Sequence, residues 1–307
     1  MIQADQRPSF KAALVEAGHF VPTGVPGVFG RGSAFEAVRL GLDALITRTA
    51  ADERAEVLHF PPVIPRRLLE SSEYLHSFPH LAGTIFGFEG SEPEAAEQYA
   101  VASRHDDWSR FQTMSDLVLT PASCYPVYAA IAARAPLCPG GVTIDPGAAY
   151  VFRREPSDDP ARLQMFHMRE LVRIADPETA LTWRDSWIER GLSLLRSLGL
   201  DVLPDVAADP FFGRAGRMLA ASQREQQLKV ELLVPIAGPE PTAVASFNYH
   251  QGYFATLSGI RFEDGSEVHT ACHGFGHERI VLALLLTHGL DPDRWPATVR
   301  EQLGLDA

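Results

Sequence analysis

The sequence predicts an α+β fold, an antiparallel β-sheet flanked by helices. Three observations carry this. In the second half of the chain, segments of strand character outnumber the helices that could cross over between parallel strands. Polar turns rich in Asp, Ser, Pro and Gly join several of those segments as hairpins. With 307 residues and 46% hydrophobic content, the chain is long enough for one large domain with a thick core.

The first 25 residues mix polar residues with Pro and Gly, and are expected to form a loosely held N-terminal extension to a domain spanning 26–307. Residues 23–32 are Gly-rich and read as a loop. Ser33 can cap a helix, since its hydroxyl can accept from orphan N–H groups of the first turn. Helix character then runs from Ala34 to about Thr49, with Phe35, Val38, Leu42, Leu45 and Ile46 on one face. Ala55 to Phe60 reads as a strand stopped by Pro61-Pro62, which cannot donate to a ladder. Arg66 to Ser77 is a short helix, Leu81 to Phe88 a strand, and Glu92 to Phe111 helical with an acidic start. After a strand at Leu117 to Thr120, Cys124 stands near the start of a helix through Ala133, where the dipole favours a thiolate. Residues 135–146, carrying Cys138, read as loop.

Ala149 to Phe152 and Phe166 to Ile174 form the arms of a hairpin. Asp176-Pro177 opens a helix whose buried stripe is Leu181, Ile188, Leu192, Leu195 and Leu198, closed by Gly199. Phe211 to Gln227 contains a second helix, bearing Arg214, Arg217 and Arg224. Leu228 to Ile236 and Val244 to Leu257 alternate as antiparallel strands. A turn at Glu263-Asp264-Gly265, a strand at Val268 to Cys272 and an apolar helix ending at Gly289 complete the order.

The formal net charge is −12 and the pI near 5.4. Nucleic-acid binding draws much of its affinity from Lys and Arg on phosphates, so this balance argues against a large tRNA or DNA footprint. Three cysteines cannot all pair, which suggests a reducing compartment. No secretory signal is visible in Met1 to Ala13, and the longest apolar run, Ile280 to Leu286, is far too short to span a membrane. A soluble cytoplasmic protein without membrane attachment is expected.

The chemistry concentrates in the hairpin. Arg153 and Glu155 end its first arm; Arg162, Phe166 and Glu170 lie along the second. An arginine fork suits phosphate, and a Phe ring offers a face on which a base can stack. Such a hairpin taken alone favours an ordinary surface with solvated charges. Downstream, Gly274-x-Gly276-x-x-Arg279 precedes the apolar helix. Glycines let backbone approach a ligand, and an arginine starting a core helix needs an anion, either a ligand phosphate or a core carboxylate. His167, His273 and His277 beside these motifs could serve as metal ligands, but such histidines are more often hydrogen-bonded core or rim residues, and these read so.

Arg-x-Glu, a loop and Arg-x-x-x-Phe resembles the second signature motif of the class II aminoacyl-tRNA synthetases, and Phe166-His167-x-x-Glu170 is similar to the seryl enzymes. The helix, strand and proline at 34–61 resemble the first motif, and Gly274 to Arg279 the third, in the right order. The whole chain, with Cys124, Glu170 and Cys272 especially, most resembles the amino acid:[carrier protein] ligases. These are relatives of the atypical archaeal seryl-tRNA synthetases that lack the tRNA-binding domain.

The resemblance implies a zinc site at Cys124, Glu170 and Cys272, which would leave a fourth position for the substrate amine. Cys138, in a Pro/Gly-rich loop, is read as non-functional. Bent ATP would lie across the sheet, with Arg153 on the α-phosphate and Arg162 and Arg279 on the γ-phosphate, the two catalytic arginines being Arg153 and Arg279. Glu155 would meet the adenine amino group beside the backbone of Leu163, and the ring would lie between Phe166 and Arg279. Lys229, Glu231 and Ala243, Val244, Ala245 and Ser246 would face the nucleotide, Glu231 being able to hold Mg2+. The seryl enzymes place a metal-binding acid near Thr242 to Ala245 instead. Glu170, Asp209 and Asn248 would line a pocket for a small amino acid. The first motif implies a homodimer.

The expected activity is ATP-dependent activation of glycine, or alanine, as the adenylate and transfer to the phosphopantetheine thiol of a carrier protein. Carrier proteins are normally acidic, and the helix with Arg214, Arg217 and Arg224 is the candidate landing surface. The alternatives are a seryl-type tRNA-charging enzyme and a non-catalytic paralogue acting as a regulatory binding module.

Overall fold

The computed structural model describes residues 9–138, 140–236 and 240–306. Helix α1 (Phe10–Glu16), capped by the Ser9 hydroxyl, leads into a hairpin of β1 (Phe20–Pro22) and β2 (Phe29–Arg31). Leu14 and Phe20 are buried in the main core. Residues 9–25 are therefore not loosely held, because two large apolar side chains anchor them; residues 1–8 of the expected extension lie outside the described residues. The loop read over 23–32 holds the second arm of this hairpin. Helix α2 (Ser33–Thr49) is N-capped by Gly32, without a side-chain bond, so Ser33 is not the cap. The Gly32 amide donates to His19 O, and the hairpin sets where the helix begins.

Strand β3 (Glu56–Val57) is shorter than the expected 55–60, and β4 (Val63–Pro65) follows the prolines. Helices α3 (Arg66–Ser71) and α4 (Tyr74–Ser77) divide at Glu73, whose φ of 52° breaks the single helix expected there. Then come β5 (Thr84–Phe88), α5 (Glu92–Ala102) with a Ser91/Glu94 capping box, and β6 (Gln112–Leu119). Helix α6 (Tyr125–Ala132) starts directly after Cys124. The Gly/Pro-rich stretch read as loop contains β7 (Val142–Asp145), followed by the hairpin arms β8 (Ala148–Phe152) and β9 (Met165–Ala175).

In α7 (Pro177–Ser197) the Asp176 carboxylate accepts from Thr179 N–H. Ala180, Trp183, Trp187, Leu192 and Leu195 are buried, whereas Leu181, expected in the stripe, is exposed. Two indoles bury more apolar area than Leu181 could, and they orient the helix. An unexpected edge strand, β10 (Leu203–Val206), precedes α8 (Gly213–Glu225), β11 (Lys229–Val234) and β12 (Thr242–Gln251). Residues expected to continue that last strand form α9 (Tyr253–Ser258). Strand β13 (His269–Gly276) contains both glycines of the third motif, and α10 (His277–His288) and α11 (Ala297–Leu303) end the chain. A Cβ on Gly41 of α2 would sit 2.1 Å from Leu303 O, so only glycine permits α11 to pack there.

Among the described residues the main sheet has eight strands, ordered β10-β11-β12-β13-β9-β7-β3, with β8 paired to the first half of β9 on the edge that β7 shares. Every pairing is antiparallel except β3 with β7. A smaller antiparallel sheet, β4-β6-β5, builds a satellite core around Ile64, Leu69, Tyr74, Leu81 and Val118. The α+β expectation, helices on an antiparallel sheet, holds.

Register decides what the sheet presents. Directly opposed residues project to the same face. The pairs Lys229↔Asn248, Glu231↔Ser246, Asn248↔Cys272, Ser246↔Gly274, Gly274↔Glu170 and Gly276↔Met168 gather Lys229, Glu231, Ser246, Asn248, Cys272 and Glu170 on one face. The reverse face carries Leu171, Phe247 and Phe275 into the main core, which α7 and α10 cover.

Candidate active site

Three strand or helix positions far apart in sequence meet on this face. One ligand atom each from Cys124, Glu170 and Cys272 lie within 4.8 Å of one another, and all three residues are buried. Cys124 is the residue before α6, Glu170 lies mid-β9, and Cys272 sits on the adjacent β13. Ser123 N–H donates to Glu170 Oε1 at 3.0 Å, while Glu170 Oε2 is buried with no hydrogen-bond partner among the described residues. Asn248 Nδ2 donates to Cys272 Sγ at 3.5 Å, and His250 Nε2 lies 3.7 Å from the same sulfur.

The electrostatics of this cluster are coupled. The hydrogen bond that the Cys124 thiol gives Cys272, followed by burial, pushes Cys124 well up; the same bond holds Cys272 well below the ordinary thiol range, against the burial that would raise it. Burial, reinforced by the charge on Cys272, pushes Glu170 up to about 8. An orphaned buried carboxylate oxygen beside two sulfurs fits a divalent ion, which would relieve the desolvation of all three. Two thiolates and a carboxylate leave a tetrahedral ion one open position. His167, His273 and His277 stand elsewhere. His167 Nδ1 donates to Glu278 Oε1 on the reverse face, His273 is packed against Trp183 and Trp187, and His277 is fully buried.

Beside the cluster lies a set of arginines. Arg153 follows β8, and its guanidinium sits 5.8 Å from the centre of the Phe166 ring. Arg279, in the first turn of α10, donates to Ala161 O at 2.8 Å and Ala243 O at 2.9 Å. Burial, and then the charge of Arg153, lowers its pKa to about 10. Neither Arg153 nor Arg279 forms an ion pair among the described residues, so the core-carboxylate partner that Arg279 could have had is not there. Arg162 is half exposed and only 3.8 Å from Asp159. Leu163 is buried and Glu155 half-buried in the loop between the two arms.

The floor along β11 is a relay. Lys229 Nζ lies 2.6 Å from Asp209 Oδ1 and 3.0 Å from Glu231 Oε1. Burial would push Asp209 up, but Lys229 outweighs it and holds the acid at about 2. Gln223 of α8 grips Asp209 from the other side, accepting from its N–H at 2.7 Å and donating to Oδ2 at 2.9 Å. Ala243, Val244, Ala245 and Ser246 open β12, next to the β11 bulge at Leu232/Leu233. Sequence reasoning missed Ser123, His250 and Gln223. Each acts on a partner distant in sequence, and no local signal identifies it.

No family model matches the chain. It is 47% identical over 290 residues, 93% of its length and 87% of the relative's, to amino acid–[acyl-carrier-protein] ligase 1 of Bradyrhizobium diazoefficiens. Its fold is that of the Methanopyrus kandleri seryl-tRNA synthetase solved with Aquifex aeolicus tRNASec. The TM-score is 0.82 at 21% identity, with all of this chain and 62% of that one covered. The Pyrococcus horikoshii seryl-tRNA synthetase complexed with ATP gives a TM-score of 0.69 at 16% identity, covering 98% of this chain and 64% of that one.

Proposed function

The chain belongs to the amino acid–[acyl-carrier-protein] ligases, enzymes on a class II aminoacyl-tRNA synthetase core, and from that premise we propose that it activates glycine, in preference to alanine, and passes it to a carrier-protein phosphopantetheine thiol. The observation that carries the reading is that Arg153 and Arg279, beside the convergent Cys124, Glu170 and Cys272, have no acidic partner among the described residues. A buried cation left without a carboxylate is costly unless an anionic ligand completes it.

In this reading the amino acid carboxylate attacks the α-phosphorus of ATP; the bond to the β-phosphate oxygen breaks, and pyrophosphate departs with the electron pair. Arg153 binds the α-phosphate, and Arg162 and Arg279 the γ-phosphate, where charge builds. Adenine stacks between Phe166 and Arg279, with its amino group toward Glu155 and the backbone of Leu163. Lys229 and the 243–246 segment border the nucleotide, and Glu231 is the acid available to Mg2+. The carrier thiol, its proton lost to solvent, then attacks the acyl carbonyl and AMP leaves.

Cys124, Glu170 and Cys272 would hold Zn2+, whose Lewis acidity would favour the neutral α-amine of a small amino acid. Asp209 and Asn248 line the same face and restrict the space around that amine. Residues 26–307 carry every group named, and no tRNA is assigned to this chain. The acidic carrier would land on α8, where Arg214, Arg217 and Arg224 stand beside the exposed Met218. We infer a homodimer through α2 and the edge strand β3, which sedimentation would report as twice 33.6 kDa; a species at the single mass would exclude it.

The test is pyrophosphate exchange with metal analysis. Purified protein should contain one zinc per chain and exchange labelled pyrophosphate into ATP only with a small amino acid. No exchange with any amino acid, in zinc-replete protein, favours the regulatory paralogue instead.

A further inference from the structure

Gln164 lies between Arg162 and Phe166, is 8% exposed, and makes three hydrogen bonds that join two distant parts of the chain. Its carbonyl accepts from Arg153 N–H at 2.9 Å, which ties the two arginine-bearing arms together. Its own N–H donates to Gly27 O at 2.8 Å, and its side-chain amide donates to Pro26 O at 2.8 Å. Both acceptors sit in the turn between β1 and β2.

That turn is itself anchored. Phe20 at the base of the hairpin is buried in the main core. Arg31 at its other end pairs with Glu278 at 2.9 Å, and Glu278 immediately precedes Arg279. The Glu278 carboxylate also accepts from His167 N–H and Nδ1, both at 2.8 Å, just after Phe166. Gly27 has φ of +73°, and a Cβ there would stand 3.1 Å from Arg162 O. The turn thus bears on the second arm at backbone level, and through Gln164 O on Arg153 of the first.

A loop that must order around a triphosphate loses conformational entropy on binding, and ordering it beforehand improves affinity. We propose that Gln164 is a positioning residue for the nucleotide, and that the Pro26–Gly27 turn is the brace it acts through. Together they hold the backbones of Arg153 and Arg162 in place before ATP arrives. The inference rests on the assignment of those arginines to phosphates. Gln164 itself touches no substrate.

Gln164→Met keeps the side-chain length and both main-chain bonds, and removes only the Nε2 donor. Gly27→Ala pushes the turn away from Arg162 and provides an independent second variant. Each should raise the KM for ATP in pyrophosphate exchange about tenfold with the KM for the amino acid unchanged; Gln164→Met should also leave the unfolding midpoint unchanged, whereas Gly27→Ala lowers it, because alanine is strained at a φ of +73°. An unchanged KM for ATP in both variants overturns the proposal. So does a joint rise in both KM values with a lowered midpoint, the mark of a merely structural role. Absence of exchange in the unsubstituted protein overturns the ATP assignment, and the brace with it.

Discussion

Arg279 is a buried cation bonded to two carbonyls and, among the described residues, to no acid, with its pKa lowered to about 10 by burial and by Arg153. It stays charged at neutral pH. Arg279→Met removes a desolvated charge, so the unfolding midpoint should hold or rise while pyrophosphate exchange falls at least about a hundredfold. Loss of both together would assign Arg279 to the scaffold. The Asp209–Lys229 pair makes a pH prediction. Asp209 falls from 3.8 to about 2 in the fold, so its contribution to stability is present above pH 3.8 and is lost as pH falls towards 2. Denaturant midpoints of the unsubstituted protein and Asp209→Asn should differ most near neutral pH and converge below pH 3.8; a gap constant with pH contradicts the pairing. The convergence of Cys124, Glu170 and Cys272 was indicated by family resemblance alone, since their wide spacing in the sequence carries no metal signature. Gln164 and Gln223 were not legible, because their partners at Pro26 and Asp209 come near only on folding.

Elements with strong internal signals were readable: the capped α7, the glycine-bounded α10, and the hairpin of β8 and β9. Short strands such as β7 and β10 carry too few alternating residues to stand out, and β7 is held by its pairing with β9. Register was beyond reach, although it alone puts Glu170, Cys272, Asn248 and Lys229 on one face. Helix α8 shows the element-scale consequence. Its Arg214, Arg217 and Arg224 are solvent-facing, while Gln223 turns inward to Asp209. Reversing the three charges should slow transfer to the carrier about tenfold or more and leave pyrophosphate exchange intact. Loss of exchange as well would mean that the substitutions reached the site through Gln223.

At the scale of the whole molecule, one sheet divides labour between its faces. The reverse face is fixed by α7, α10 and the tryptophan-lined core, which frees the other face to carry buried charge. The N-terminal segment, expected to hang loose, closes this architecture, since Leu14 and Phe20 root it in the core and its turn reaches Gln164. Its polar composition concealed two anchors that only the fold reveals. A net charge of −12 makes a long nucleic-acid partner unfavourable and leaves the arginines of α8 as a local exception. The most direct test is therefore which acceptor is charged. Incubated with ATP and glycine, the protein should add one glycyl group, released by hydroxylamine, to a phosphopantetheinylated carrier and none to its apo form, as read by intact mass. An unmodified carrier alongside charged tRNA would contradict the account.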